Sequence, residues 1–347
     1  LSFAGTKVKK ILNLHIHLIL NHMLILNADL LKELISPPDV IEAVEQAMLL
    51  YEGDGFYMPP RMHAELEGNV LLLMPSFTRS AFGTKLITVF PGNLDRNEAV
   101  IQGVMLLNDP ATGAPLALMD AAVLTGYRTG AVSAVGIRYL SDPGVRSLGI
   151  IGTGIQAWYQ VIMACQVRSF SRILLLDLDR GRAEQLAARL APELDAEILL
   201  AGSSEELVRS SDVVITATTS LHPVITPDKD LLRGKTYVGI GSFKPSMREI
   251  PEELFQLVER VYVDSRQATE ESGDLIYAIK AGLLDREKIF TLGRLMNQSL
   301  KPSSAETSFF KSVGMALFDL LVAERIYGLA RRQGAGHEID LGEKGNP

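Results

Sequence analysis

At 347 residues the chain has length for two domains, since one core serves roughly 100–200 residues. Hydrophobic residues make up 47% and charged residues 22%, the balance of a soluble globular protein. A formal net charge of -7 argues against nucleic acid or an anionic membrane as the main partner, and a single cysteine, Cys165, excludes an internal disulfide and fits a reducing cytoplasm.

Residues 1–22 open with a basic patch and an apolar stretch that Asn13, His15, His17 and Asn21 interrupt. The stretch is too polar for a membrane span of about 20 residues, and no small-residue cleavage site follows. It is read as a non-native leader, with Met23 as the natural start, because a common cloning site encodes the preceding His22. Nothing completes a metal site around His15 and His17, so none is expected.

Apolar residues then recur at helical spacing (Leu31, Leu34, Ile35, then Val40, Ile41, Val44, Ala47, Met48), and Pro37-Pro38 splits them into two helices. Glycines and prolines over 53–60 mark a loop. Strands are expected at 61–66, 70–74 and 85–90, and a hairpin at 103–108 and 115–119 around Asp109-Pro110-Ala111-Thr112-Gly113. This first segment reads as a helix pair with a mostly antiparallel sheet.

An alanine-rich helix follows over 121–140, ending at Asp142-Pro143-Gly144. Strands at 147–151, 172–177, 197–201, 213–217, 236–240 and 260–263 then alternate with helices at 156–167, 180–190 and 203–210. Cys165 falls in the first of these helices and reads as core. The alternation predicts a parallel sheet covered on both faces. After Lys311 the pattern is helical over 312–331, and this helix is expected to return to the first segment. The fold class is therefore α/β, a dinucleotide-binding domain over 123–312 inserted into a discontinuous α+β domain over 23–122 and 313–347.

The sharpest local signal is Gly152-Thr153-Gly154-Ile155-Gln156-Ala157, a G-x-G-x-x-A turn between an apolar strand and a helix. The first glycine permits the tight turn, the second lets backbone approach a pyrophosphate, and Ala157 lets helix and strand pack closely. The pyrophosphate would sit on free N–H groups at the helix N-terminus. Asp177 ends the next strand at the spacing for ribose recognition and favours NAD, although Arg180 and Arg182 could receive the 2′-phosphate of NADP. Ala217-Thr218-Thr219 ends a strand of the second half, where small hydroxyl residues suit a nicotinamide ribose or simply cap a loop. Arg61, Lys85 and Arg128 stand beside Pro, Gly and Thr residues. Arginine can clamp a carboxylate or phosphate, and a desolvated lysine can donate a proton, but spacing alone equally allows surface charges.

Taken together the segments resemble the ornithine cyclodeaminase/mu-crystallin family over about residues 58–330. The pieces are PPR at 59–61, GTK at 83–85, LNDPATGAPLALMDAAVLTGYRTGAVSA at 107–134, IGTGIQA at 151–157, VDSRQATEESGDL at 263–275 and FKSVGMALFD at 310–319. The resemblance implies a homodimer with a substrate-binding, dimer-forming first domain and an inserted Rossmann domain. It implies that Arg61 and Lys85 hold the substrate carboxylate, with Lys85 near the reacting nitrogen. Arg128 and Thr129 would lie at the cofactor phosphate and substrate, and Ser312 and Val313 along the nicotinamide.

The chain departs from the true cyclodeaminases in two places. Leu72-Leu73-Met74-Pro75 lacks their glutamate, and Ser242 in Gly239-Ile240-Gly241-Ser242-Phe243-Lys244-Pro245 falls about where their catalytic aspartate stands. Cyclodeamination needs an acid/base group to shuttle protons through hydride removal, ring closure, ammonia loss and hydride return. The expectation is thus a cytoplasmic NAD(P)-dependent cyclic ketimine reductase or amino-acid dehydrogenase, with Ser242 at the substrate. An ornithine or lysine cyclodeaminase, and a non-catalytic crystallin-like binder, are the alternatives.

Overall fold

A computed structural model describes residues 22–96, 98–298 and 306–342. Of the expected leader, residues 1–21, with His15 and His17, lie outside the described residues, and His22 is the first residue of β1 (His22–Leu26). Among the described residues no helix is long and apolar enough to cross a membrane. The chain divides into two units, with unit 1 holding the residues up to Ser36, Asp54–Thr125 and those from Ala316, and unit 2 holding Pro37–Gly53 and Gly126–Met315.

Unit 1 is built on a mixed sheet of β1, β2 (Phe56–Tyr57), β3 (Met62–Leu66), β4 (Asn69–Thr78), β5 (Phe82–Val89), β6 (Ile101–Asn108), β7 (Pro115–Asp120) and β16 (His337–Asp340). Its order is β16-β1-β7-β6-β5-β4-β2, with β3 beside β4. Among the described strands only β1 and β7 run parallel; the other pairs are antiparallel, and four of them join consecutive strands from β3 to β7. Side chains alternate between the two faces. Gly83, Lys85 and Ile87 of β5 and Met105 and Leu107 of β6 are buried, whereas Thr84, Leu86 and Leu106 are half-buried. The helix Ala316–Gln333 packs against β4, β5 and β6 and buries Leu317, Phe318 and Leu320, each worth about 1.5–3 kcal/mol of apolar transfer. The helical pattern expected from Ser312 thus begins at Ala316, because residues 308–311 are strand.

Unit 2 is a parallel sheet of β8 (Ser147–Ile151), β9 (Arg172–Leu176), β10 (Glu197–Leu200), β11 (Val213–Thr216), β12 (Thr236–Gly239), β13 (Val261–Val263), β14 (Ile289–Thr291) and β15 (Ser308–Lys311). The order is β10-β9-β8-β11-β12-β15-β13-β14, every pair parallel. The order reverses between β8 and β11, which places a ligand crevice outside the carboxyl ends of those two strands. β15 is not among the expected strands. Its four residues, Ser308-Phe309-Phe310-Lys311, are all buried and lie between β12 and β13, whose positions in the chain are far earlier.

The helix Pro37–Tyr51 groups with unit 2, whereas the sequence reading placed it in the other domain. Gly293 explains the packing. A Cβ there would lie 2.2 Å from the Met48 carbonyl oxygen, so the bare glycine lets two backbones meet.

Candidate active site

In unit 2 the glycine turn follows β8. Gly152 has φ of 94°, a left-handed conformation that a side chain rarely adopts, and a Cβ on it would lie 2.7 Å from Thr218 Cγ2 and 2.8 Å from the Ala217 oxygen. The turn is therefore pressed against the loop that ends β11. A Cβ on Gly154 would meet nothing within 4 Å, and the helix Ile155–Ala164 begins there with no side-chain cap. Ile155 is exposed and Gln156 Oε1 is buried with no hydrogen-bond partner. Uncapped N–H groups facing open space at a helix N-terminus fit a pyrophosphate.

Asp177, one residue past β9, grips this turn. Its Oδ2 accepts from Thr153 N at 2.7 Å and Thr153 Oγ1 at 3.0 Å, and its Oδ1 accepts from Asp179 N. Burial pushes the carboxyl up, but these hydrogen bonds outweigh it and hold Asp177 below the usual range. Three of the carboxylate's acceptor positions are used, which leaves capacity for a ribose hydroxyl.

Across the crevice, β11 and β12 end on a carboxylate that sequence reading did not single out. Glu249 Oε1 accepts from Thr218 N and Oγ1, and Oε2 from Thr216 Oγ1, Gly241 N and Ser242 N, at 2.7–3.1 Å. Burial pushes the Glu249 carboxyl up while the Lys311 charge opposes it. Both oxygens are covered by donors from the two loops. Thr219, next in the loop, is exposed.

Ser242 is fully buried. Its hydroxyl donates to the Met247 oxygen at 2.6 Å, accepts from Asp274 N and meets Ser272 Oγ. The substrate role expected for Ser242 therefore has no spare hydroxyl behind it; that side chain ties the β12 loop to the helix Gly273–Lys280.

The segment after β15 is held in the same manner. Asp264 Oδ2 accepts from Ser312 Oγ at 2.6 Å, Val313 N at 3.0 Å and Gly314 N at 2.7 Å. Gly314 has φ of 77°, and a Cβ there would lie 2.6 Å from an Arg128 guanidinium nitrogen. The structure thus brings Arg128 to Gly314, next to the Ser312–Val313 segment, with Thr129 buried one residue on. Behind both loops Lys311 is fully buried, with Nζ 3.8 Å from Asp274 Oδ2. Burial pulls its pKa down, against the charges of Asp274, Glu249 and Asp264.

In unit 1, Lys85 lies on β5 between Met74 of β4 and Met105 of β6. It is 2% exposed, and Nζ donates to Asp319 Oδ2 at 2.8 Å and to Thr125 Oγ1 at 3.4 Å. Asp319 sits in the first turn of the helix Ala316–Gln333, where the helix dipole favours a negative charge. Asp319 and Thr125 thus hold the Lys85 Nζ in a fixed place on the buried face of β5. Arg61, just before β3, is half-buried in the same unit.

Of the expected site residues, Arg61 and Lys85 thus belong to unit 1. Arg128, Thr129, Gly152, Thr153, Gly154, Ile155, Gln156, Asp177, Ala217, Thr218, Thr219, Ser242, Ser312 and Val313 belong to unit 2. Asp319, Asp264 and Glu249 were missed. Asp319 and Asp264 stand inside the quoted FKSVGMALFD and VDSRQATEESGDL segments, but only tertiary pairing shows what they hold. Among the described residues no group of His, Cys, Asp or Glu is arranged to hold a metal.

The profile of the ornithine cyclodeaminase/mu-crystallin family matches residues 20–334. A Delta(1)-pyrroline-2-carboxylate reductase of Bacillus cereus is 32% identical over 327 residues, 92% of this chain and 100% of that one. The structure of Thermococcus litoralis Delta(1)-pyrroline-2-carboxylate reductase with NADH and L-proline superposes with a TM-score of 0.85 at 34% identity, covering 91% and 100% of the two chains. An archaeal alanine dehydrogenase dimer with bound NAD gives a TM-score of 0.86 at 28% identity, covering 92% and 99%.

Proposed function

The chain belongs to the ornithine cyclodeaminase/mu-crystallin family, and on that premise we propose that it is an NAD-dependent oxidoreductase working at the carbon–nitrogen centre of a small amino or imino acid, in the direction of a net reductase or dehydrogenase. One observation carries the choice of net redox chemistry. Residues 239–245 contain no acid, and Glu249, the carboxylate next to them, is fully buried with its two oxygens engaged by five donors of the fold itself. A redox-neutral cyclodeamination would need an acid/base group.

The residues of unit 2 fit a dinucleotide. The Gly152–Gln156 turn takes the pyrophosphate, Asp177 the adenosine ribose, and Thr218, Arg128 and the Ser312–Val313 segment the other half. Bound there, the cofactor supplies the hydride. Asp177 favours NAD, because a carboxylate accepts a 2′-hydroxyl and repels a 2′-phosphate.

The remaining work falls to unit 1. Arg61 binds the substrate carboxylate. Lys85, held in place by Asp319, hydrogen-bonds the substrate and supplies the proton that the reduced nitrogen takes up. Burial among Met74 and Met105 excludes water from the ammonium and strengthens its field.

We assign the outer face of the unit 1 sheet to a second copy of the chain. Met62, Leu73, Leu86 and Val104 form one cross-strand row, with Met62 and Val104 exposed, an apolar surface that a lone sheet rarely leaves open. The archaeal alanine dehydrogenase neighbour is itself described as a dimer. The cytoplasm is the compartment proposed, on the lone cysteine.

The test is cofactor absorbance with a substrate panel. NADH oxidation on addition of pyrroline-2-carboxylate, or of pyruvate with ammonia, is the expected result. Ammonia release from ornithine with catalytic NAD and no net reduction would replace this reading with the cyclodeaminase one.

A further inference from the structure

We propose that Glu249 is a positioning residue for the nicotinamide half of the cofactor: its carboxylate holds the ends of β11 and β12 together beneath that half, and it does so without touching cofactor or substrate. The inference rests on the reading of unit 2 as a dinucleotide site.

The geometry within unit 2 orders the site along the strand ends. The pyrophosphate turn at Gly152 has Asp177 of the β9 end on one side and Ala217-Thr218 of the β11 end on the other. With the adenosine ribose at Asp177, the other half must run over the loops of β11 and β12. Those two loops are joined through one group. Glu249 takes both Thr218 donors on one oxygen, and Thr216 Oγ1 with the Gly241 and Ser242 amides on the other. The loops are also in direct contact, since a Cβ on Gly241 would lie 2.1 Å from the Thr218 oxygen and 2.4 Å from Glu249 Oε1. Glu249 itself is fixed from behind, its N–H donating to Asp274 Oδ1, which also accepts from Ile250 N.

A buried carboxylate serving five donors is an arrangement that a neutral amide cannot copy. In Glu249→Gln the NH2 must replace one oxygen. Facing Gly241 and Ser242 it would orphan two amides; facing Thr218 it would orphan one, while the threonine hydroxyl can turn round and accept. The second orientation costs less, so the disturbance is confined to the Thr218 loop, the part beneath the nicotinamide half. The adenosine half rests on Asp177 and the Gly152 turn, which Glu249 does not bond.

Calorimetric titration with NADH and, separately, with ADP tests this in full-length wild type and Glu249→Gln. The expected result is NADH binding weakened about tenfold or more, the scale of one orphaned buried amide, with ADP affinity within about twofold of wild type. Equal losses for NADH and ADP, or no loss for either, would overturn the proposal. Wild type that binds neither ligand would instead remove the dinucleotide reading, and the inference with it. Thr216→Val covers failure of Glu249→Gln to fold. It deletes one buried donor to Glu249 Oε2 at a side chain that is 1% exposed, and a selective loss of NADH affinity of roughly twofold to fivefold is expected. Unchanged NADH affinity in that variant would count against the proposal.

Discussion

Lys85 Nζ and Asp319 Oδ2 meet at 2.8 Å, across 234 positions of sequence, with both side chains closed to solvent. The pair is one unit for stability and two for chemistry. Lys85→Met or Asp319→Asn alone breaks this buried ion pair and is expected to cost about 3–5 kcal/mol in denaturant unfolding. The double variant Lys85→Met with Asp319→Asn is expected to regain most of that stability and none of the NADH oxidation. Recovery of turnover in the double variant would remove Lys85 from the reaction.

Gly152→Ala puts a methyl group 2.7 Å from Thr218 Cγ2 and forces φ of 94° on an alanine. Strain of about 1–3 kcal/mol and a displaced turn are expected. NADH fluorescence titration should show affinity reduced tenfold or more, by about 1.4 kcal/mol per decade.

Asp177 carries both a cofactor preference and a pH dependence. NADH is expected to bind at least about tenfold more tightly than NADPH in paired titrations, and Asp177→Ser to narrow the gap. Because the folded-state pKa of Asp177 is lowered, its contribution to stability is present above the ordinary carboxylate range and is lost as pH falls through the lowered value. Acid unfolding followed from about pH 5 downward should therefore be shallower in Asp177→Asn than in wild type.

Burial pushes the Cys165 thiol up to about 11. At pH 8 the thiolate is then scarce, and a disulfide reagent should label the native chain roughly a hundredfold more slowly than the unfolded one. Labelling at equal rates would contradict its half-buried place after the helix Ile155–Ala164.

Leu86→Arg sets a charge in the middle of the Met62–Leu73–Leu86–Val104 row, on the face of β5 opposite Lys85. Sedimentation should show the dimer replaced by monomer, because an unpaired charge in an apolar interface core is costly. A chain that sediments as a monomer before substitution would withdraw the second copy from this face.

What was legible in the sequence was local. The Gly152–Ala157 turn needs a strand before it and a helix after it, all within about 20 residues, so its place could be read. The strands expected at 61–66, 70–74 and 85–90 were local in the same sense, since Gly68, Pro75, Gly83 and Pro91-Gly92 separate them. β15 left no such trace: Ser308-Phe309-Phe310-Lys311 is four residues long, buried on both faces, and becomes a strand through neighbours at 236–239 and 261–263. Asp319, Asp264 and Glu249 were hidden for the same reason, since a carboxylate's donors lie wherever the fold brings them. Ser242 shows the converse. Its position beside a family's acid suggested a ligand contact, while Met247, Ser272 and Asp274 had already used its hydroxyl.

The place of β15 also sets an order of events during synthesis. β12 and β13 cannot complete their pairing until a strand made some 45 residues after β13 slides between them, and β1 gains its second neighbour only when β16 has left the ribosome. Until β15 and β16 join, each sheet therefore carries unpaired strand edges, the kind of surface that invites mispairing.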